Sequence, residues 1–259
     1  MSHPTLEIPP AETRPLRWRR AWRSLRALLR EPEDTDRAVD FFYAIGQAEF
    51  ERNFQRFAAD PRGRALLVER PRLLGALGDR GALARMPEGS FGCAYLRYLE
   101  QTGFAPDGLI RVQERVQRQW EAHEGAPPLD PLRAWYRDRM LLCHDLDHVL
   151  SGYGTDHVGE AALLAFGLAH RPGLAGTLLT LGAALDVWRA LGSRWLGDAL
   201  RAWRRARRSV ALNRLPVEAL LPLPVETVRR IAGLASAEES HPGGVPRGNL
   251  DAARRIVPA

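Results

Sequence analysis

The sequence predicts an all-α protein built as a single multi-helix bundle, and three observations carry that expectation. Apolar residues recur at helical spacing along most of the chain. Period-two alternation is nowhere sustained long enough to make a central strand. The 259 residues are 45% hydrophobic, enough to bury one sizeable core and better suited to one large domain than to two small ones.

Composition excludes several classes. Ordinary apolar content and charge of mixed sign rule out global disorder, and Cys93 and Cys143 alone cannot form a disulfide framework. The net charge of +6 comes from arginine only, since lysine is absent; the basic groups are therefore planar and never titrated off. No recognised binding motif accompanies that charge, so nucleic acid is not expected as a partner. No uninterrupted apolar stretch reaches the ~18 residues of a spanning helix. The nearest, residues 161–185, is cut by His170-Arg171-Pro172. Residues 1–10 carry Pro4, Glu7, Pro9 and Pro10 and no apolar run, so a signal peptide is not expected and the chain reads as soluble or peripheral.

The elements follow in order. Residues 1–15 read as a flexible tail, because of their prolines. Trp18, Trp22, Leu25 and Leu29 then form a helical stripe ringed by arginines, a first helix that packs on the domain or lies on an anionic surface. Residues 36–57 continue helically with Val39, Phe42, Tyr43, Phe50, Phe54 and Phe57, and Asp60-Pro61-Arg62-Gly63 makes a turn. Short helices follow over 64–70 and 71–77. Gly89-Ser90 introduces a helix over 91–101 that Thr102-Gly103 closes, and 107–123 is helical by composition. After the proline loop at 126–131 comes the segment that carries chemistry. Helices over 159–170, 173–191 and 193–210 and a short one ending near Leu234 complete the domain, 16–234; residues 235–259 read as a loose C-terminal tail.

In the run Cys143-His144-Asp145-Leu146-Asp147-His148, the two histidines stand at i and i+4 and project from one helix face, with Asp145 bordering it. Cys143 points away and reads as core. Gly152 and Gly154 break the helix, and a second helix from about Val158 would return antiparallel and bring Glu160 opposite both imidazoles. Two imidazoles and one or two carboxylates suit a divalent metal: zinc, with iron or manganese as alternatives. The acids sit in a strongly apolar context, where carboxylates without a cation are costly. Asp147 and His157 read as supporting or surface residues rather than ligands.

The same residues carry a resemblance. His144-Asp145-x-x-His148, eleven intervening residues and Glu160, with Gly152-Tyr153-Gly154 between, resemble the hallmark of the coenzyme Q biosynthesis protein 4 family. Weaker similarity runs from Arg26 to Leu234, including residues 89–95, 104–107 and 223–229. The resemblance implies an all-helical ubiquinone-biosynthesis protein with a metal, usually taken as zinc, on His144, Asp145, His148 and Glu160, which would act catalytically through it. It implies removal of the C1 carboxylate, coupled to hydroxylation, from 4-hydroxy-3-methoxy-5-polyprenylbenzoate-type precursors, and organisation of the ubiquinone-synthesis complex. Its implied partners are the polyprenylated quinone precursor, other ubiquinone-biosynthesis proteins and a membrane surface, with a homodimer as a further expectation. The expected place is the cytoplasmic side of a bacterial inner membrane, or the matrix side of the inner membrane in mitochondria.

Two other readings compete. One is a non-catalytic prenyl-lipid-binding scaffold braced by a structural metal; the Gly- and Leu-rich residues 161–169 and 173–185 could line its tunnel or simply fill a core. The other is a His-Asp phosphohydrolase, for which His123 and Asp186 would have to serve as further ligands.

Overall fold

The structure is a computed structural model that describes residues 7–11, 15–28, 30–31 and 34–248. Among them it holds fifteen α-helices, one short 3-10 turn and no strand, only an isolated bridge between Ser90 and Pro224. The helices are α1 Trp18–Leu28, α2 Thr35–Ile45, α3 Gln47–Ala59, α4 Pro61–Glu69, α5 Leu73–Gly78, α6 Arg80–Ala84, α7 Phe91–Thr102, α8 Gly108–Glu124, α9 Pro131–Ser151, α10 His157–His170, α11 Leu174–Leu191, α12 Arg194–Arg207, α13 Val217–Leu220, α14 Val225–Ala232 and α15 Ala237–Ser240. The all-α expectation holds.

Helix α10 sits at the centre. Val158, Ala161, Ala162, Leu163, Ala165 and Phe166 are all buried, and it packs chiefly on α12 and α11 rather than along α9. Small residues on both sides, Ala161, Ala162 and Ala165 against Ala202 and Ala206, let the backbones approach. Helix α9 is the longest at 21 residues; Asp130 caps its amides and Pro131 begins it, as fixed φ and a missing N–H allow.

Several expectations need correction. Residues 36–57 are two helices, because the chain breaks at Gly46: a Cβ there would stand 2.6 Å from the Phe42 carbonyl oxygen. The first helix does not bury its tryptophans. Trp18 and Trp22 are 52% and 60% exposed, while Ala21 and Ser24 form the buried face. Polar bonding fixes that orientation: Ser24 donates to Asp40 (2.5 Å), which also accepts from Arg20 and from the Trp120 indole (2.8 Å each). Leu29, the last residue of the expected stripe, lies outside the described residues. Asp60-Pro61 is a helix start, since Asp60 accepts from the amides of Arg62 and Gly63.

The two tails also differ from expectation where they are described. Ile8 packs on the cluster of Phe54, Phe57 and Tyr136, and the Pro9 and Pro10 carbonyls accept from Arg133. At the other end, Ser236 and Glu239 form a reciprocal capping box for α15, and Ala237 and His241 are buried. Gly248 donates to Asp156, the residue that caps α10. Residues 1–6, 12–14 and 249–259 lie outside the described residues.

Helix α11 is the least covered part of the bundle. Only Ala175 and Val187 are buried, and Leu181 stands 60% exposed beside Leu174, Leu185, Trp188 and Leu191. By length and composition it could cross a membrane, with a mean hydropathy of 1.3 over 18 residues. Core packing therefore accounts for Leu178 and Leu179, which pack on the cluster around Phe41 and Tyr43, but not for the exposed Leu174, Leu181, Leu185 and Leu191.

One buried ion pair ties the amino-terminal region to α9. Arg133, almost wholly buried, donates to both carboxylate oxygens of Glu51 at 2.7 Å and to Asp130. Breaking such a pair leaves an uncompensated buried charge, which costs about 3–5 kcal/mol. Arg133→Ala is expected to lower unfolding free energy by about that amount in urea denaturation; a loss under about 1 kcal/mol would contradict the role given to this pair.

Candidate metal centre

The site forms where the last turn of α9 meets the first turn of α10. Helix α9 ends at Gly152, which takes φ 79°, a left-handed conformation that glycine adopts without penalty, and whose amide donates to the His148 carbonyl. The carbonyls left unpaired at the end of α9 are taken by arginines from distant helices: Arg229 Nε donates to Leu150 (2.8 Å) and Arg205 Nη1 to Ser151 (2.6 Å). Past the turn, Asp156 caps α10 and Gly159 lies against Gly154, where a Cβ would stand 2.2 Å from the Gly154 carbonyl oxygen. That close approach brings Glu160 beside the end of α9.

His144, His148 and Glu160 each offer one donor atom, and the three atoms lie within 4.8 Å of one another. His148 Nε2 is 3.1 Å from Glu160 Oε1, and His144 Nε2 is 4.0 Å from Glu160 Oε2. The imidazoles meet edge-on with centroids 5.1 Å apart. Metal–ligand bonds of ~2.0–2.1 Å place neighbouring tetrahedral ligands about 3.4 Å apart, so the spacing suits one small divalent cation. His148 is buried, whereas the side chains of His144 and Glu160 are 31% and 38% exposed, so the cluster opens to one side.

The electrostatics support a cation. His148 Nδ1 lies 3.1 Å from the Tyr153 carbonyl oxygen, which can only accept, so Nδ1 carries hydrogen. Its Nε2 faces a carboxylate, so without an ion the ring must hold both protons. Burial works against that, but the hydrogen bond and charge of Glu160 prevail and raise the His148 pKa. Burial would raise Glu160, yet the hydrogen bond and charge of His148 hold it below the usual carboxylate range. Burial and then His148 push His144 down to about 4, leaving it neutral and able to ligate. A divalent ion would replace the Nε2 proton of His148. This donor set, with a carbonyl fixing the ring of one histidine, fits the group.

Of the four predicted ligands the structure brings three together. Asp145 stays apart: it is buried beside the Tyr98 hydroxyl, and burial pushes its pKa up to about 6. It stands three residues before His148 and borders the cluster, near enough for the charges of His148 and Glu160 to act on it, but its carboxylate is not one of the three grouped atoms. Asp147 is buried rather than at the surface, raised by burial to about 6 with the Arg171 charge opposing. Cys143 is fully buried core, its thiol pushed up to about 12 by burial. Among the described residues, His123 and Asp186 do not join the cluster; His123 bonds to the Gln119 carbonyl and Asp186 pairs with Arg189.

Sequence reasoning missed the surroundings. Tyr98 stacks on His148 with centroids 5.8 Å apart, and Tyr95 stacks on Tyr98 at 6.2 Å. The buried Tyr95 hydroxyl has no hydrogen-bond partner, a polar atom left for a ligand or water next to the cluster, while the Tyr98 hydroxyl faces Asp145. The only signal was their i, i+3 spacing on one helix.

Together these observations define an all-α helical bundle that gathers two histidines and a glutamate at a helix-to-helix turn. A family model described as "Coenzyme Q (ubiquinone) biosynthesis protein Coq4" matches residues 17–124, the part that ends with α8. The ubiquinone biosynthesis protein COQ4 homolog, mitochondrial, of Danio rerio is 31% identical over 179 residues, covering 68% of this chain and 60% of that one. The COQ4 protein, mitochondrial, of Coprinopsis cinerea is 34% identical over 112 residues, 43% of this chain and 34% of that one. The chain is thus similar to the Coq4 family over these stretches, and it spans about three fifths or less of the length of these curated relatives. The fold is shared with a crystal structure of a provisionally assigned ubiquinone biosynthesis protein from Nostoc punctiforme PCC 73102. The TM-score is 0.63 at 20% identity, over 86% of this chain and all of that one.

Because ligation needs Nε2 of His148 unprotonated, protons and metal compete there. Zinc titration is expected to give one equivalent bound with proton release, and an affinity that falls as pH drops through the raised His148 pKa. His148→Ala should abolish binding, and Glu160→Gln should weaken it at least tenfold; calorimetry in buffers of different ionisation enthalpy reads both. Uptake independent of pH between 5 and 8 would contradict the assignment.

Proposed function

We propose that this chain acts in ubiquinone biosynthesis, removing the C1 carboxylate of a polyprenylated benzoate precursor of the 4-hydroxy-3-methoxy-5-polyprenylbenzoate type at a metal held by His144, His148 and Glu160. The observation that carries the reading is the convergence of those three side chains at an opening to solvent, in a chain similar to the Coq4 family. A closed structural site would bury all its ligands, whereas two of these are partly exposed.

The chain's own residues do the following. Glu160 and the two imidazoles would hold the ion, and His148 is kept from rotating by its bond to the Tyr153 carbonyl. The Tyr95 hydroxyl, buried without a partner, offers a hydrogen bond to a phenolic or carboxylate oxygen of the ring, beside the Tyr98 hydroxyl that faces Asp145. Asp145, poised near neutrality, can hold or release a proton beside them. When bound, the ion would supply Lewis acidity toward the carboxylate. Coupled to hydroxylation, the reaction replaces carboxyl by hydroxyl: one dioxygen, two protons and two electrons from a reduced donor enter, and carbon dioxide and water leave. Zinc suits the donor set; two histidines and a carboxylate with open positions also suit iron, the better choice where dioxygen takes part, and manganese is a further alternative.

The exposed face of α11 supports peripheral attachment to a membrane, the source of a prenylated substrate. Leu181, Leu185, Trp188 and Leu191, continued by Leu196 and Leu200 on α12, form an apolar surface with Arg189, Arg194 and Arg201 nearby in the chain. The cytoplasmic face of a bacterial inner membrane, or the matrix face in mitochondria, is the place proposed, with other ubiquinone-biosynthesis proteins as partners. That surface equally favours a second reading, a prenyl-lipid-binding scaffold in which the metal only braces the turn.

Genetics separates the two. A strain lacking this protein is expected to accumulate a prenylated ring that still bears its carboxylate, cleared by the wild-type gene but not by Glu160→Gln expressed at equal, folded level. Full restoration of ubiquinone by that variant would favour the scaffold. For the surface, Leu181→Glu with Leu185→Glu should lower co-sedimentation with vesicles of phosphatidylglycerol and phosphatidylethanolamine at least tenfold, and unchanged binding would remove α11 as the contact.

A further inference from the structure

We propose that His241 is a positioning residue for the metal centre, acting through Tyr153 and anchored by Asp198. The inference rests on the metal reading above and concerns what holds the turn whose carbonyl orients His148.

His241 follows α15, and its side chain is wholly buried. Its Nε2 is 2.9 Å from the Tyr153 hydroxyl and its Nδ1 is 3.2 Å from Asp198 Oδ1. The Tyr153 and His241 rings meet edge-on with centroids 5.6 Å apart. The direction of each bond follows from chemistry. The Asp198 carboxylate only accepts, so Nδ1 donates to it; Nε2 of the neutral ring is then an acceptor, and the Tyr153 hydroxyl donates. Asp198 is itself held by Arg201 at 3.1 Å on α12.

A residue needed only to fill this space would be apolar. His241 instead places each ring nitrogen on a directed partner, and one of those partners is the side chain of the residue whose carbonyl receives His148. Metal-binding histidines are oriented by the acceptor on their second nitrogen, and such supports typically contribute about 10–100-fold to affinity. Here the acceptor is a backbone carbonyl in a glycine-flanked turn, which cannot be rigid by itself. Arg205 and Arg229 pin the helix end before the turn, through Ser151 and Leu150. His241 pins the turn itself through the hydroxyl of Tyr153, whose ring the Arg205 guanidinium also covers at 5.4 Å from its centroid. The chain of bonds runs from Arg201 through Asp198, His241 and Tyr153 to His148.

The test uses the whole protein and cobalt(II) alone, whose visible spectrum reports ligand geometry. Tyr153→Phe keeps the ring and removes only the hydroxyl. It should weaken cobalt affinity about tenfold in chelator competition and alter the visible bands, with the far-ultraviolet circular dichroism unchanged. His241→Ala should do the same, and the double variant should be no weaker than the worse single one, because both break one chain of bonds. A Tyr153→Phe protein with wild-type affinity and spectrum would overturn the proposal while leaving the metal reading intact; so would fully additive effects. A wild-type protein taking up no cobalt that His148→Ala removes would overturn both. Should His241→Ala fail to fold, Tyr153→Phe alone decides.

Discussion

A single buried imidazole governs this architecture. His148 must have an acceptor on one nitrogen and an anion, or an ion bound by that anion, on the other, in a setting where an unsatisfied polar group costs about 1–3 kcal/mol. The Tyr153 carbonyl supplies the first and Glu160 the second. To deliver both, α9 has to stop at Gly152, the chain has to reverse within the short turn before His157, and α10 has to start with Glu160 in its first turn. The arginines on Leu150 and Ser151 and the close packing of Gly159 on Gly154 are consequences of that geometry.

Much of the centre was legible in the sequence because it is local. The histidine spacing, the glycine stop and the glutamate a fixed distance on lie within seventeen positions, where helical periodicity dictates direction. Asp145, expected beside them because it stands three residues before His148, borders the cluster without joining the three grouped atoms. The partners at long range were invisible. Tyr98, Arg205, Arg229 and His241 arrive from four other parts of the chain, and nothing in their own neighbourhoods marks them. The Ser236-x-x-Glu239 capping pattern was the one overlooked signal of order beyond Leu234.

At the level of the fold, periodicity located helices but not their orientation. The tryptophan stripe of α1 reads like a core face, yet a bond network centred on Asp40 turns Ala21 and Ser24 inward. Hydrophobic bulk is a one-way indicator: it says what burial would favour, and specific polar contacts can outweigh it. In α11, Leu181, Leu185, Trp188 and Leu191 face outward while Leu178 and Leu179 pack inward, so the outer surface has to be explained by what it meets.

The bond between Tyr153 and His241 spans 88 residues of chain. During synthesis α9 and α10 leave the ribosome long before their last strut exists, and closing so long a loop is entropically slow compared with forming either helix. On the proposed metal reading, the geometry that would hold an ion is therefore complete only once the bundle has assembled around the turn.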